Sequence, residues 1–540
     1  MSVVRNRRFA ALAAVLAVAT LGACTAQSPD ASTSSSTTTS TEGAAPGETN
    51  RAVFSNVGLP SNLDPALAAS SDGFLFVRNV YEGLTAYEPG TTTIVPALAT
   101  EWTVSDDGLV YTFTLRDDVT YHDGTPFTAE TARLGFERLR AVNGAPATMM
   151  SEIESIEAVG EYELAITIAA PNGFFTGVLP KLPLASPAAV EANKTADDEW
   201  ATDWFASNAA GTGPYRLTSF TVNQDITLTA NEDYYLDFDP QAPTDIVLRM
   251  DPDVTTALQM LGAGDIDMLG AVGPDDSAAA AELDGVKLVE QPSLQVQTIY
   301  MHAAKGPLTD PRVREAISLA FNYDAMIDFY EGSAVKANGA LPATFAAGLE
   351  TFDDYTQDLD RARALMEEAG YGDGGLTMRY VGIKGLSYFE FAGTLLADSL
   401  ANIGIEVTQD LVPTAQLLEA IASEENAPEF ILLNTSPVTN NPTAFLRQFY
   451  VVTPEEGGFN ASWIADDALV AQLDKISGLP EGAEQEAAVL EANQMVKDLH
   501  LGIHIAQPVM AQPVRDNWDV TYENLDYLYV VRFFYARNIA

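Results

Sequence analysis

Few residues of this 540-residue chain have the types and spacing that chemistry on a substrate requires. His500 and His504 are four positions apart, which on a helix would place both on one face as candidate metal ligands. Leu501, Ile503 and Ile505 alternate with Gly502 and the two histidines, which favours a strand, where the rings would be about 13 Å apart. The sequence also contains no cysteine pair, no His-Glu-x-x-His, no Gly-x-Ser-x-Gly and no phosphate-binding loop. We therefore expect no metal, no other cofactor and no enzymatic activity.

The charge of the chain excludes another class of function. It has 28 Lys and Arg against 75 Asp and Glu, a net charge of −47, which would repel nucleic acid or an anionic membrane surface. Acidic pairs such as Asp106-Asp107 are then expected on solvated faces. With 47% hydrophobic and 19% charged residues the composition is typical of a folded globular chain, and its length predicts several lobes.

The amino terminus has the pattern of an export signal. A basic segment with three arginines precedes the apolar run 9–23, and no acidic residue occurs before Cys24. The run is shorter than the roughly 20 residues that span a bilayer, so we predict a cleaved signal peptide over 1–23. Leu21-Gly22-Ala23-Cys24 resembles the bacterial lipobox, which predicts that Cys24 carries a lipid. As the only cysteine, Cys24 cannot close an intrachain disulfide.

A polar segment follows this cysteine. Thirteen of the residues from 25 to 50 are Ser or Thr, and large apolar side chains are almost absent, so the segment cannot bury enough surface to fold. We predict that 24–50 is a disordered tether that holds the folded body roughly 25–30 Å from its anchor. The sequence thus predicts an extracytoplasmic lipoprotein on the outer face of the cell membrane, bound to the membrane through Cys24 alone.

The remainder of the chain mixes strands and helices, which predicts an α/β fold. Tyr111, Phe113 and Leu115 alternate with polar residues, as in a strand with one buried face. Apolar residues at helical spacing predict amphipathic helices over 313–321 and 358–370.

One short apolar run is of particular interest because of the residues that follow it. The segment 430–433 is typical of a buried strand, and Asn434, Thr435 and Ser436 come directly after it. In open α/β sheets, ligands bind outside the carboxyl ends of the strands, so these three residues are candidates for contact with a ligand. An ordinary polar turn would explain them equally well.

Eight short motifs occur in order along the chain. They are Asn62-Leu63-Asp64-Pro65, Tyr81-Glu82-Gly83-Leu84, Pro96-Ala97-Leu98-Ala99-Thr100-Glu101-Trp102, the segment from Gly108 to Asp117, His122-Asp123-Gly124-Thr125-Pro126, Gly211-Thr212-Gly213-Pro214-Tyr215, Asp310-Pro311-Arg312-Val313-Arg314 and Glu368-Ala369-Gly370-Tyr371. Together they resemble the signature of family 5 extracellular solute-binding proteins, the oligopeptide, dipeptide and nickel receptors of ABC importers.

The resemblance implies a two-lobed fold of the type II (cluster C) periplasmic-binding-protein kind, with an extra α/β domain inserted after the first strands. On this chain, lobe one would comprise 51–81, 206–296 and 506–540, the inserted domain 82–205, and lobe two 297–505. The chain would cross between the lobes more than once and form a hinge that closes over the ligand. The implied partners are a peptide or peptide-like solute and the permease and ATPase subunits of an importer, and the protein is expected to be a monomer.

The resemblance also implies further ligand contacts. Ser70, Ser71 and Asp72, followed by Gly73, lie where relatives line the cleft from lobe one, although a solvated loop is the simpler interpretation. Trp463 could stack on the solute, or it could be an ordinary core residue.

Three further candidates belong to the expected crossover strand into lobe two. Strand alternation puts Thr298, Tyr300 and His302 on one face and Gln297 on the other, so that not all four can contact the ligand.

One position departs from the pattern of peptide receptors. The segment 441–446 is similar to the family segment after a cleft strand, and the aspartate that pairs with the ammonium group of a peptide falls on Val438. A buried ammonium without a charged partner is costly. A blocked peptide, a non-peptide solute such as a metal chelate, another acid such as Asp72, or an alignment offset by a residue or two would each account for this.

We therefore expect a lipid-anchored solute receptor that delivers a peptide-like molecule to an ABC importer. A surface sensor that uses the same cleft without a permease is the main alternative. A secreted hydrolase is disfavoured because the sequence has no recognisable nucleophile or metal motif.

Overall fold

The computed structural model describes residues 50–345, 355–437, 441–525 and 528–539. The predicted signal peptide, Cys24, all of the predicted tether except Asn50, and Val438 lie outside the described residues. The Asn50 side chain donates to the carbonyl oxygen of Ala242 at 2.9 Å, and its own carbonyl accepts from the amide of Thr244 at 2.7 Å. Asn50 is therefore part of the folded body. Within this part of the chain, we find no helix with the length and apolar character to span a bilayer.

Helices and strands alternate along most of the chain. The helices are α1 (Ser71–Val80), α2 (Ala129–Val142), α3 (Ala145–Thr148), α4 (Pro187–Asn193), α5 (Thr202–Phe205), α6 (Val254–Ala263), α7 (Pro274–Ala281), α8 (Pro311–Ala320), α9 (Tyr323–Phe329), α10 (Leu359–Glu368), α11 (Ser387–Ala401), α12 (Thr414–Ala420), α13 (Pro442–Tyr450), α14 (Asp467–Ser477) and α15 (Ala483–Asp498). The strands are β1 (Arg51–Asn56), β2 (Thr85–Tyr87), β3 (Ile94–Pro96), β4 (Ala99–Val104), β5 (Val110–Leu115), β6 (Ile153–Gly160), β7 (Glu163–Ile168), β8 (Tyr215–Thr221), β9 (Asp225–Ala230), β10 (Asp245–Met250), β11 (Met268–Leu269), β12 (Val286–Pro292), β13 (Val296–Met301), β14 (Ala334–Lys336), β15 (Leu376–Ile383), β16 (Ile405–Val412), β17 (Phe430–Thr435), β18 (Gly502–Arg515), β19 (Trp518–Asp519), β20 (Tyr522–Leu525), β21 (Leu528–Val531) and β22 (Arg537–Asn538).

The local signals in the sequence explain several of these elements. The predicted strand over 111–115 is confirmed as β5, with its three alternating apolar residues buried. The helix predicted over 358–370 is confirmed as α10. The Asp358 side chain accepts from the amide of Arg361 at 2.9 Å and caps its first turn. Gly370 follows the last turn with φ of 87°, a conformation that favours glycine.

One twelve-stranded sheet runs through the molecule. Its strand order is β16-β15-β17-β13-β18-β11-β1-β10-β9-β8, and β12 and β14 both pair with β18. The first part of β18, from Gly502 to Ala506, pairs with β13, whereas the part from Val509 to Arg515 pairs with β12. The long strand β18 therefore belongs to both halves of the sheet.

The hydrophobic core is divided among several clusters. One contains Ile299, Met301 and Ile503 and lies on one face of the β13 half of the sheet, while a second, with Tyr300 and Leu501, lies on the other face. A third contains buried residues of the four-stranded sheet β4-β5-β7-β6 and of α2. A fourth packs around β1 and β10, and it includes several residues between 185 and 205 that the sequence assigned to the inserted domain.

Candidate functional site

Two segments of chain cross between the halves of the sheet, and hydrogen bonds tie them together. One is the link between β12 and β13, and the other is the middle of β18. The amide of Ser293 donates to the carbonyl oxygen of Pro508 at 2.7 Å, and the Gln507 side-chain amide donates to the carbonyl oxygen of Ser293. Gln507 Oε1 also accepts from the amide of Ala343 at 3.1 Å. Gln507 thus joins β18 to the link between β12 and β13 and to the segment that follows β14.

The strand directions place the carboxyl ends of parallel strands on both sides of this crossing. β17 is antiparallel to β13, and β13 is antiparallel to β18, so β17 and its parallel neighbour β15 run toward the crossing. In the other half, β11 is antiparallel to β18, and β1 and β10 run with β11, so these strands also point toward the crossing. Ligands in open α/β sheets bind at such ends. We call the space between the two sets of strand ends the candidate cleft.

Polar groups from two strand ends meet on the β17 side of the candidate cleft. Asn434 is exposed near the end of β17, and its Nδ2 donates to the hydroxyl of Tyr388 at 2.8 Å. Tyr388 lies in the first turn of α11, just after β15. Burial raises the pKa of Tyr388, so its hydroxyl stays protonated at neutral pH. Because this oxygen already accepts from Asn434, its own proton is available to a solute.

Two stacked aromatic rings lie beside this polar pair. Phe391 is three residues after Tyr388 on α11, so both side chains share a face of the helix. Phe329, the last residue of α9, stacks on Phe391 with ring centroids 4.3 Å apart and planes 9° apart. All three rings are only half-buried. The β17 side therefore offers hydrogen-bonding groups next to an apolar surface.

The opposite side of the candidate cleft carries a half-buried carboxylate. Asp72, in the first turn of α1, accepts at Oδ1 from Asn56 Nδ2, 2.8 Å away at the end of β1. Burial raises the pKa of Asp72, and the hydrogen bond from Asn56 offsets part of that rise. Ser70 caps α1 by accepting from the amide of Gly73 at 3.3 Å, and Ser71 is half-buried in the first turn.

A family model and several relatives match this chain. The model for bacterial extracellular solute-binding proteins, family 5 (middle region), matches residues 93–456. The chain belongs to this family. As a solute-binding protein it is a binding receptor and not an enzyme. The family assignment confirms the resemblance seen in the sequence.

Three relatives illustrate the range of similarity to this solute-binding protein. The probable D,D-dipeptide-binding periplasmic protein of Escherichia coli is 28% identical over 398 residues, which are 72% of this chain and 75% of the relative. Heme-binding protein A of Haemophilus influenzae is 29% identical over 388 residues, 68% of this chain and 69% of the relative. The solved structure of the periplasmic binding protein DppA of Helicobacter pylori, in complex with the peptide STSA, matches with a TM-score of 0.66 and 26% identity, covering 91% of this chain and 98% of that chain. These matches confirm the predicted two-lobed α/β fold class.

Four predicted ligand contacts of the solute-binding protein are buried in or near β13. Thr298 and Tyr300 share a face of β13, as the alternation predicts, and Gln297 accepts from Tyr330 on the other side, whereas His302 lies just beyond the end of the strand. That face is covered, however: Tyr300 packs on Tyr450 with ring centroids 5.6 Å apart in a cluster with residues of α13 and α15.

Two of the other buried candidates, His302 and Trp463, contact each other. The His302 and Trp463 rings stack with centroids 5.9 Å apart, and both residues are buried. Thr298 is fully buried and its hydroxyl is 3.1 Å from His504 Nδ1. The structure therefore does not bring Thr298, Tyr300, His302 or Trp463 to the candidate cleft.

The three residues after the apolar run of β17, Asn434 to Ser436, differ in how deeply they are buried. Thr435 is fully buried and donates to the carbonyl oxygen of Val296 at 2.9 Å, so the strand continues two residues beyond the apolar run. Ser436 is half-buried and only Asn434 is exposed. Sequence reasoning missed Tyr388 and Asn56. Asn56 is the last residue of β1, and Tyr388 follows β15.

The histidine pair is not arranged as a metal site. His500 lies outside β18 with φ of 48°, whereas His504 is within the strand and buried, so the predicted strand is correct only from Gly502 onward. Burial lowers the pKa of His504 to about 3 and that of His500 to about 4. Among the described residues, no group of three or more His, Cys, Asp or Glu side chains could hold a metal ion.

Proposed function

We propose that this solute-binding protein captures a peptide or peptide-like solute in the candidate cleft and delivers it to an ABC importer. The observation that carries the proposal is the direction of the strands: carboxyl ends of parallel strands from both halves point at one crossing, with Asn434 and Tyr388 on one side and Asn56 and Asp72 on the other. Rotation at the crossing would bring both sides onto one solute.

The groups at the candidate cleft suit a peptide. Amide and hydroxyl groups such as those of Asn434 and Tyr388 can bond the carbonyl and N–H groups of a peptide main chain. One relative is named as a probable D,D-dipeptide-binding protein, and the Helicobacter pylori structure holds the peptide STSA, which supports the same solute class here.

Asp72 is our candidate for the charged partner of the solute. An ionised carboxylate that is half-buried loses hydration, which a cationic group on the solute would compensate. In this role Asp72 would pair with the ammonium of a peptide, a task for which the aligned position Val438 is unsuited.

The cellular setting completes the proposal. Residues 1–23 direct export, Cys24 carries the lipid anchor, and the tether predicted over 24–50 joins the folded body at Asn50. Lobe one (51–81, 206–296 and 506–540), with the inserted domain (82–205), closes on lobe two (297–505), and the closed monomer is presented to the permease and its ATPase. Among the residues predicted for the cleft, Ser70 and Ser71 stay candidates because they lie on α1 beside Asp72.

Calorimetry with defined peptides tests the proposal. The full chain is titrated with Ala-Ala, Ala-Ala-Ala and a D,D-dipeptide, each with a free and with an acetylated amino terminus, while small-angle scattering follows closure. We expect at least one free-amino peptide to bind and reduce the radius of gyration, with weaker binding after acetylation. Absence of binding and of compaction for a broad peptide library would contradict the assignment of peptides as the solute class.

A porphyrin or metal chelate is the second candidate solute. The stacked rings of Phe329 and Phe391 offer an apolar surface that suits a flat ring, and one relative is named as a heme-binding protein. Hemin titration followed by its Soret absorption distinguishes this candidate from peptides, since a peptide receptor should leave the Soret band unchanged.

A further inference from the structure

The twelve-stranded sheet ends on one side at β16, and within the described ranges β15 is the strand that pairs with it. The carbonyl oxygen of Val412, the last residue of β16, accepts from the amide of Lys384 at 2.9 Å, so it points toward the β15 side. The backbone groups of a strand point alternately to its two sides, so every second residue of β16 directs its N–H and C=O away from β15. These residues are Ile405, Val407, Gln409 and Leu411. We call this side the open edge of β16.

The register of β16 distinguishes it from other edge strands of this protein. Its eight residues pair with eight residues of β15 without a shift. The register is shifted within β8, at the other end of the same sheet, and within β4 and β6, the outer strands of the four-stranded sheet. β16 also contains neither Pro nor Lys. Bulges, Pro and Lys are common means of preventing further pairing at an edge, so the open edge of β16 can accept another strand.

Two cavities lie beside β16, each next to a different helix. One, of about 460 Å³, is lined by residues of α12 and by Asp410 and Val412. The other, of about 480 Å³, is lined by residues of α11 and by Ile405 and Val407. Asp410 and Ile405 are on opposite faces of β16, because side chains alternate along a strand. The side chains of an added strand alternate in the same way and would reach both cavities, which is how strand addition acquires specificity.

The exposed side chains of β16 carry negative charge. Glu406 and Asp410 are exposed on one face, about 13 Å apart, with Thr408 between them. Arg379 Nε is 3.8 Å from Asp410 Oδ2, and Glu419 lines the same cavity, so the charge on this face is net negative. A strand with Lys or Arg at positions four apart would place a cation opposite each carboxylate of β16.

A second copy of the chain is a poor partner for the open edge of β16. Antiparallel pairing of two β16 strands about Thr408 would place Glu406 of each copy opposite Asp410 of the other, and like charges directly opposite each other destabilise a sheet. The net charge of −47 on each copy adds to this repulsion. We propose that the open edge of β16 is a docking site for an extended basic segment of a partner protein, which adds to the sheet as a further strand.

This docking site is distinct from the place where a solute would bind. β15, β17 and β13 separate β16 from the shared strand β18, a lateral distance of about 19 Å at roughly 4.8 Å per strand. A segment along the open edge of β16 therefore contacts the outermost strand and not the crossing. The site does not depend on the identity of the solute, so partner and solute can bind at the same time.

Calorimetry on the full chain tests the site with a synthetic strand. The probe is acetyl-Val-Lys-Val-Lys-Val-Lys-Val-amide, and its counterpart has Glu in place of Lys. We expect the Lys peptide to bind the wild type and the Glu peptide to bind about tenfold more weakly or less. Bound Lys peptide should also slow hydrogen exchange of the amides in Ile405–Val412, measured by mass spectrometry, because strand addition gives the outward N–H groups acceptors.

Variants of β16 test the two parts of the proposal separately. Glu406→Lys/Asp410→Lys should weaken binding of the Lys peptide about tenfold, the effect of two exposed ion pairs. Val407→Pro removes one outward N–H while it leaves the hydrogen bonds to β15 in place, and should weaken binding about fivefold. Glu101→Lys/Glu157→Lys is the matched control, since it makes the same change of charge at exposed residues of β4 and β6 and should leave the affinity nearly unchanged.

Several outcomes would overturn the assignment. Failure of the Lys peptide to bind the wild type would do so. Equal binding of the Glu peptide, or equal weakening by the control pair, would show that the charge of β16 does not select the partner. Loss of binding in Asp72→Asn, with both β16 variants unaffected, would place the peptide in the candidate cleft. A dimer in sedimentation velocity that Val407→Pro dissociates would make a second copy the occupant.

Folding of each variant is checked by far-ultraviolet circular dichroism. If Val407→Pro does not fold, the charge-reversal pair and the hydrogen-exchange measurement on the wild type decide the test.

Discussion

Replacing Arg138 should destabilise the protein strongly, because this residue forms a buried ion pair with Asp64, which lies 74 positions earlier in the chain. Arg138 on α2 donates from its two terminal nitrogens to the carboxylate oxygens of Asp64 at 2.8 and 2.7 Å. The side chains are 2% and 0% exposed. Arg138 Nε also donates to the carbonyl oxygen of Trp200 at 3.0 Å, and its guanidinium lies 4.1 Å from the ring centroid of Phe205.

The magnitude follows from burial. Arg138→Met leaves the Asp64 carboxylate in the interior with no described basic partner, and removal of one member of a buried pair costs about 3–5 kcal/mol. Asp64→Asn leaves the guanidinium uncompensated and should cost a similar amount. The double variant Asp64→Asn/Arg138→Met removes both charges, so its loss should be smaller than the sum of the two single losses.

Urea unfolding followed by tryptophan fluorescence measures these differences. The fitted transition should be the one that includes the inserted domain, because a protein of several lobes need not unfold in one step. Arg133→Met is the control on the same helix: Arg133 is 32% exposed and pairs with Glu130 at 2.8 Å, so its loss should cost no more than about 0.5 kcal/mol. Equal effects of Arg133→Met and Arg138→Met would refute the reasoning from burial.

Three further predictions concern movement, solute binding and anchoring. Gly173→Val places a side chain against the carbonyl of Leu479, so we expect the two segments to separate and the radius of gyration by small-angle scattering to increase, whereas Gly273→Ala, with open space around the added atom, should change nothing. Asp72→Asn should weaken binding of cationic solutes at least tenfold by calorimetry. Because burial raises the pKa of Asp72, wild-type affinity for such solutes should already fall with acidification above pH 3.8, and a flat profile would contradict this role. Cys24→Ala should move the protein from the membrane fraction to the soluble fraction on immunoblots, and retention would argue against a lipid anchor.

The sequence predicts individual helices and strands of this protein well. It predicts less well which side chains reach the candidate cleft. Asp358 and Gly370 mark the ends of α10 because a capping carboxylate and a positive φ are local requirements. Asn434 was found because a strand end is also a local signal. Tyr300 shows the limit: alternation predicts which face of β13 it occupies, but α13 and α15, more than 140 residues later, decide that this face is covered.

The residues that sequence reasoning missed depend on long-range topology. Tyr388 and Asn434 are 46 positions apart, and they meet because β15 and β17 are parallel neighbours in the sheet. Asn56 and Asp72 meet because α1 packs back against the end of β1. No periodicity within either segment encodes these neighbours, so their identification required the order of the strands.

The shared strand β18 also has a consequence for biosynthesis. It begins at Gly502 of a 540-residue chain and lies centrally in the sheet, between β13 of one half and β11 and β12 of the other. Neither half can therefore complete its sheet until residues 502–515 have been synthesised. A nascent chain that ends before Gly502 lacks the strand that joins the two halves of the sheet.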